Sequence, residues 1–593
     1  MENTGKEEIL LRGVAASPGV AHGPVFLFVK KELEIVRYFV PPDRREEQVA
    51  RFEGALLQTK QQLRVLRCEI EEKLGDKEAQ IFDAHQMVLE DRAMIDAVEK
   101  EIFQNGSNIE FAFQTVSNRY VLAFSNIDDD YIKERVADIK DVSRRLLHNL
   151  MGQSEMEMGS FTAPHILVSD DISPSDTVRI DRDRVSAIVT DQGSRTSHTV
   201  IMARSAGVPA VVGLHDISRR VQHGDVMIVD GFEGLVIINP SEQSLFRYGK
   251  IQVQRQNALN LYHSSLHLPA RTDDGVELKM LLNVDGSESA DKLLRSGADG
   301  VGLFRTENIF LRGEVVPTEQ EQYEHYRHIV ETMRPRPVTI RTLDLGGDKQ
   351  MGGVKSLTVE EANPFMGFRA IRLCLSHRDV FKDQLRAILR SSAHGSVKIM
   401  YPMISSVKEL LEANSILEEC KAELRSRGQA FDEGVEVGSM IEIPAAAYVA
   451  DHLARHCSFF SIGTNDLIQY MLAVDRVNDR VAHLYEPNHP AVMRTLKAIF
   501  DAGSKAGIPV SVCGEMAGDP VYAALLLAMG ARELSVAAGS LAEIKYFIRN
   551  ITLDEAGRVL NEVLLMDDPD EIATILSSFH LDHLGAARSV VNV

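Results

Sequence analysis

The chain has 593 residues, 44% of them apolar and 25% charged, with a formal net charge of -21 at pH 7. That length exceeds what one hydrophobic core supports and points to roughly three or four domains of an ordinary soluble, globular kind. The acidic balance argues against nucleic acid or an anionic membrane as a main partner, and an anionic substrate would need a local cluster of arginines. The five cysteines, Cys68, Cys374, Cys420, Cys457 and Cys513, form no CxxC pair and no zinc-ligand spacing. Such a set fits reduced thiols in a cytoplasm. The N-terminus, MENTGKEE, is polar, and no apolar run approaches the ~18 residues of a membrane span, so neither a signal peptide nor an anchor is expected.

Short apolar runs over 9–29, broken by Gly13, Ser17-Pro18-Gly19 and Gly23-Pro24, predict strands joined by turns. Residues 44–151 change character: proline is absent, glycine is scarce, and apolar residues recur at helical spacing. Leu56, Leu63, Leu66, Ile70 and Leu74 mark one run; Ile81, Val88, Ile95, Val98 and Ile102 mark the next. Two more helices are expected over about 107–125 and 131–151. Together they predict an all-helical bundle inserted into a strand-bearing domain. Strand-and-turn sequence resumes near 164 and ends at Asn239-Pro240. The polar stretch from Ser241 to about His267 predicts a helical linker.

From Gly275 onward, short buried-strand runs alternate with helical stretches. The strands are expected at Leu278–Val284, Gly300–Phe304, Val338–Leu343, Val397–Pro402, Val435–Ile441, Phe459–Gly463, Pro509–Cys513 and Leu534–Ala537. Eight such alternations predict a (β/α)₈ barrel, with an open doubly wound sheet as the competing arrangement.

Two regions carry chemistry. In Gly193 to Arg204, His198 follows the strand-like run Val185 to Val189 and sits where a helix is expected to begin. Backbone N–H groups and the hydroxyls of Thr196, Ser197 and Thr199 favour an anion there, and a neutral imidazole can attack phosphorus. A solvent-exposed loop histidine is the competing reading.

In the barrel, polar residues follow the strands at the end where such folds place their catalytic groups. Arg305, Arg341 and Arg476 offer forked donors for phosphate and carboxylate oxygens. Glu442 and Asp466 are hard oxygen ligands suited to Mg²⁺, and Asn465 can donate an amide hydrogen bond to a phosphoryl group. Cys513 is a candidate proton donor. A loop-holding ion pair competes for the two carboxylates, and a buried structural thiol for Cys513.

Motifs along the chain meet a known family: GVAASPGVAHG (13–23), SRTSHT (194–199), GLFRTE (302–307), RTLDLGGDK (341–349), NPFMGFRA (363–370), FFSIGTNDLIQY (459–470), HLYEP (483–487) and CGEMAGD (513–519). In order and spacing the chain resembles the phosphoenolpyruvate-protein phosphotransferases, Enzyme I of the bacterial phosphotransferase system, over nearly its full length. The resemblance implies a multidomain α/β protein. Residues 1–39 and 153–240 would form a phosphohistidine α/β domain, 40–152 the inserted helical bundle that binds the carrier HPr, 241–268 a helical linker, and 269–593 a phosphoenolpyruvate-binding (β/α)₈ barrel. It further implies that phosphoenolpyruvate phosphorylates His198, with Thr177 bonded to its imidazole, and that the group then passes to a histidine of HPr. Arg305, Arg341, Asn465, Asp466 and Arg476 would bind phosphoenolpyruvate, Glu442 and Asp466 would hold Mg²⁺, and Cys513 would protonate the enolate to give pyruvate.

A cytoplasmic homodimer joined through the barrel is also implied. Ser194, Asn308 and Val477 depart from the family pattern. A phosphoenolpyruvate synthase or pyruvate phosphate dikinase would need a further nucleotide-binding domain, for which no residues remain. A nitrogen-regulatory paralogue acting in signalling would carry a sensory domain upstream, whereas the first motif here begins at Gly13. A degenerate interaction protein would not be expected to keep His198, Arg305, Arg341, Glu442, Asp466 and Cys513 together.

Overall fold

The architecture comes from a computed structural model. It describes residues 8–28, 33, 35–74, 81–125, 130–152, 164–172, 184–193, 200, 203–204, 207–286, 288–311, 315–346, 361, 363–476, 478 and 480–584. The chain divides into two compact units, Met1–Gln252 and Val253–Val593.

Among the described residues the first unit has eight strands: β1 (Ile9–Arg12), β2 (Val14–Ser17), β3 (Val20–Phe28), β4 (His165–Ser169), β5 (Val185–Thr190), β6 (Ala210–Val212), β7 (Val226–Asp230) and β8 (Leu235–Ile238). Their order is β1-β8-β7-β3-β4-β5-β6-β2. The run β3-β4-β5-β6 is parallel, and the remaining pairings are antiparallel. Both faces are buried, and the period-two alternation of a strand sends successive residues to opposite sides. Ile166, Val168, Ala187 and Val189 join one apolar cluster, while Leu167 and Ile188 join the other.

Between β3 and β4 the chain forms the expected bundle: α1 (Arg45–Leu74), α2 (Ile81–Leu89), α3 (Arg92–Asn105), α4 (Ile109–Ser125) and α5 (Asp130–Met151). Phe52, Leu63 and Leu66 of α1 pack with Phe82, Val98, Phe113 and Leu146. The periodic run from Ile81 to Ile102 is two helices rather than one. Asp91 interrupts it, its carboxylate accepting from Ala93 N at 2.8 Å and Met94 N at 3.3 Å to start α3 afresh.

The second unit holds the barrel. Strands β10 (Glu277–Val284), β11 (Gly300–Phe304), β12 (Val338–Arg341), β13 (Val397–Tyr401), β14 (Glu436–Ile441), β15 (Phe459–Ile462), β16 (Val510–Val512) and β17 (Glu533–Val536) alternate with helices. Every neighbouring pair is parallel, and β17 returns to β10, so the sheet closes and the open doubly wound alternative falls. A short β9 (Ala270–Arg271) pairs antiparallel with β10. Leu303, Met400, Met440, Phe459 and Cys513 form a small buried cluster distinct from the main barrel core.

The polar linker is a helix, Glu242–Ser265. Its Tyr248 and Ile251 pack on Ile228 and Ile237, and its Ala258 and Tyr262 on Ala542 and Leu584. All five cysteines are free thiols. Among the described residues no helix is long and apolar enough to cross a membrane.

Asp91→Ala is expected to destabilise the helical bundle by about 1 kcal/mol. Denaturant unfolding should show the bundle's transition moving to lower denaturant, with the barrel's transition unchanged.

Candidate functional site

The C-terminal ends of the barrel strands surround a cavity of about 250 Å³. Arg305, Arg341, Glu442, Asn465, Asp466, Arg476 and Cys513, singled out from the sequence, all line it. Leu303, Met440 and Cys513, three members of the small apolar cluster, line it as well. A neighbouring cavity of about 330 Å³ shares Arg305, Asn465, Cys513 and Gly514, and adds the carboxylates of Asp285, Glu288, Glu515 and Asp519.

Arg341 ends β12 and is buried. Its Nη2 pairs with Glu307, and its Nη1 lies 3.0 Å from Asp344 Oδ2. Sequence reasoning missed a second buried arginine, Arg369, as a site residue. Its Nη2 lies 2.9 Å from Asp344 Oδ1 and 3.4 Å from Asp466 Oδ2, and its Nη1 donates to the Tyr470 hydroxyl at 3.1 Å. Arg369 follows no strand directly, so the strand-end rule that pointed to Arg305, Arg341 and Glu442 passed over it. Its place within NPFMGFRA was the available signal. Burial works against both guanidinium charges, but Glu307 and Asp344 for Arg341, and Asp344 and Asp466 for Arg369, outweigh it and raise both pKa values.

Glu442 lies just beyond β14, 2% exposed. Burial, then Asp466 and Asp344, push its carboxyl up to about 8, against the pull of Arg341 and Arg369. The Met403 N–H donates to Glu442 Oε1 at 2.6 Å from a backbone with φ of 55°, a left-handed conformation unusual for methionine. A methyl group on Gly463 would lie 2.6 Å from Glu442 Oε2, so glycine is what lets this carboxylate lie against the β15 end.

Burial pushes the Cys513 thiol up, and Ser461 Oγ, donating to its Sγ at 3.3 Å, opposes the shift. Asn465 is locked in a reciprocal pair, Nδ2 donating to Glu515 Oε1 at 2.9 Å and Oδ1 accepting from Glu515 N at 2.7 Å. Arg476 N donates to Gln469 Oε1 at 3.1 Å, and its Nη2 lies 3.9 Å from Asp466 Oδ1. Arg305 is exposed at the rim, anchored by its N–H to Val284 O at 2.8 Å. Of the residues that depart from the family pattern, Asn308 donates from Nδ2 to Asp285 O at 3.3 Å. His198, Thr177, Ser194 and Val477 lie outside the described residues.

The residues fit a divalent cation. Two buried guanidinium groups, Arg341 and Arg369, face four buried carboxylates, Glu307, Asp344, Glu442 and Asp466. Burial, with Asp466 and Asp344 beside it, raises the Glu442 carboxyl, and a cation bound there would oppose that shift. Among the described residues no three His, Cys, Asp or Glu side chains are grouped to hold a metal. A carboxylate pair is nevertheless what Mg²⁺ commonly uses, completing its shell with water and substrate oxygens.

Three family models match the chain: PEP-utilising enzyme, N-terminal, over 12–135; PEP-utilising enzyme, mobile domain, over 161–234; and PEP-utilising enzyme, PEP-binding domain, over 260–553. Curated relatives named phosphoenolpyruvate-protein phosphotransferase, from Bacillus sp. (strain S) and Geobacillus stearothermophilus, are each 39% identical over 96% of this chain and 98% of their own. The one from Listeria monocytogenes is 39% identical over 96% of this chain and 99% of its own. An NMR solution structure of an Enzyme I protein, 35% identical, covers 42% of this chain and 99% of that chain with a TM-score of 0.36.

The raised Glu442 carboxyl makes a stability prediction. Between about pH 4.5, the ordinary carboxyl value, and about 8, the folded protein binds more protons than the unfolded chain, so stability falls as pH rises through this window. Glu442→Gln removes the titration. The variant without metal is expected to melt about 2 °C or more above the wild type at pH 8, with the gap closing toward pH 5. Equal melting at both pH values would show that the buried carboxylate is fully compensated.

Proposed function

The chain belongs to the family of phosphoenolpyruvate-protein phosphotransferases, and from that premise we propose how its residues divide the work. The protein takes the phosphoryl group of phosphoenolpyruvate and passes it to a phosphocarrier protein, releasing pyruvate. In our reading the group rests on His198 in between, with Thr177 orienting the imidazole, and the carrier is HPr or a close relative docking on the helical bundle. The nitrogen-regulatory alternative is not favoured by the relatives' names.

One observation carries the substrate site: arginines, a carboxylate pair and a thiol converge on a single cavity at the barrel mouth. Arg305, Arg341, Arg369 and Arg476 would grip the phosphate and carboxylate of phosphoenolpyruvate, with Asn465 released from Glu515 to donate to the phosphoryl oxygens. Glu442 and Asp466 would hold Mg²⁺, which when bound supplies charge neutralisation for the phosphoryl oxygens. The imidazole nitrogen of His198 bonds to phosphorus as the bond from phosphorus to the enol oxygen breaks. The enolate so released takes a proton at its methylene carbon from the Cys513 thiol. The thiolate left behind keeps the hydrogen bond from Ser461 until solvent returns the proton.

We further read the protein as a cytoplasmic homodimer joined through the barrel, serving sugar uptake, its regulation or both. The free thiols and the acidic charge support that setting.

Incubation with phosphate-labelled phosphoenolpyruvate and Mg²⁺ tests the reading. Acid-labile, base-stable label is expected on the wild type and not on His198→Ala, and HPr should remove it as pyruvate appears. Absence of label on the wild type would reject the assignment. Cys513→Ala is expected to slow pyruvate formation about a hundredfold or more, as for loss of a general acid. An unchanged rate would assign the proton to another donor.

A further inference from the structure

The arginine-bearing strand ends are backed by a hydrogen-bonded chain that takes no part in the reaction as derived above. At its centre is Gln384, in the helix Arg378–Ser391, with no exposed surface. Its neighbours Phe381, Leu385 and Ile388 are buried apolar residues, so packing alone would accept a methionine or leucine here. A buried primary amide is destabilising unless its bonds are made, and these are.

The ladder between β12 and β13 ends where Thr342 N donates to Met400 O at 2.9 Å. The following N–H, that of Leu343, has left the sheet and donates to Gln384 Oε1 at 2.8 Å. On its other side Gln384 Nε2 donates to Thr306 Oγ1 and to the Tyr326 hydroxyl, each at 3.2 Å. Thr306 in turn donates to Arg341 O at 3.0 Å, and Tyr326 donates to Gln322 Oε1 at 3.1 Å. Gln384, Thr306, Tyr326 and Gln322 are all fully buried.

The direction of every bond is forced. Leu343 N–H can only donate, so it needs the amide oxygen. Arg341 O can only accept, so the Thr306 proton points to it, and the Thr306 oxygen must accept from the amide nitrogen. The chain thus ties the segment Arg305-Thr306-Glu307 to Arg341-Thr342-Leu343-Asp344 through one side chain from a third element.

We propose that Gln384 is a positioning residue for phosphoenolpyruvate-dependent phosphorylation, holding the Arg305 and Arg341 segments in one register through Thr306 and Leu343. The proposal rests on the functional reading above. Gln384 touches no substrate. It acts by fixing where two guanidinium groups sit, and a displacement near 1 Å of a positioning group costs about a hundredfold in rate.

The test uses the full chain carrying Gln384→Met, Gln384→Glu, Thr306→Val or Thr306→Ser. Glutamate keeps the acceptor for Leu343 but cannot donate to both hydroxyl oxygens, so it probes the donor side without changing volume. The expected result is a fall in kcat for self-phosphorylation of about tenfold to a hundredfold in both Gln384 variants and in Thr306→Val. KM should stay within about threefold, Thr306→Ser should restore the rate, and the Gln384→Met, Thr306→Val double variant should be no slower than either single one. Transfer from the phosphorylated protein to its carrier should be unchanged. Wild-type rates in Gln384→Glu and Thr306→Val, or additive losses in the double variant, would overturn the proposal. Should Gln384→Met not fold, the two Thr306 variants decide by themselves. Amide exchange separates this claim from the functional reading: Leu343 should be protected in the wild type and lose that protection in Gln384→Met. A wild type that takes no label rejects the functional reading, whereas unchanged exchange at Leu343 overturns the positioning claim.

Discussion

A guanidinium taken out of water must be met by carboxylates at bonding distance, and this requirement organises the barrel mouth. Arg341 reaches Glu307 and Asp344, and Arg369 reaches Asp344 and Asp466, so one aspartate joins two arginines from different parts of the chain. Removing a single partner would leave a buried charge uncompensated, a heavier penalty than the pair's own net contribution. Other features follow from keeping this lattice in place. They include the glycine at 463 that admits Glu442, the Met403 backbone turned to aim its N–H, and the amide of Gln384 behind the strand ends.

The lattice also reconciles the chain with its substrate. A protein of net charge -21 repels an anion at long range. In the proposed reading, the cavity arginines together with a divalent cation would offset that field at short range, where screening by water is weakest. Leu303, Met440 and Cys513, from the small buried cluster, give that cavity an apolar lining beside its charges. The neighbouring cavity shares Arg305 and Asn465 with the first and is lined by the further carboxylates of Asp285, Glu288, Glu515 and Asp519.

Much of this was legible in the residues themselves. All eight barrel strands fall within a residue or two of where buried runs and turn signals put them, because strands buried on both faces leave continuous apolar segments. The strand-end residues were legible for the same reason: they follow such segments directly. Arg369 was not, since it comes from a loop whose approach to the cavity is decided by tertiary packing. The break at Asp91 escaped because the spacing from Val88 to Ile95 suits one helix as well as two, and only the cap distinguishes them. Partners such as Gln384 were illegible in principle, because a polar residue on a helix face declares its neighbours only once the fold brings them up. His198 and Thr177 were legible as motif residues and lie outside the described residues.

The insertion of the bundle has a consequence for biosynthesis. Strands β3 and β4 are direct parallel neighbours, Val25 against Ile166 and Phe28 against Ser169, yet all of α1–α5 lies between them in the chain. While that segment is unfolded, joining the two strands means closing a very long loop before any ladder bond rewards it. Once the bundle has folded, its own packing holds the two chain ends and the closure is already made. The helices, emerging earlier from the ribosome than β4, therefore act as an internal clamp for the central strands of a sheet to which they contribute no strand of their own.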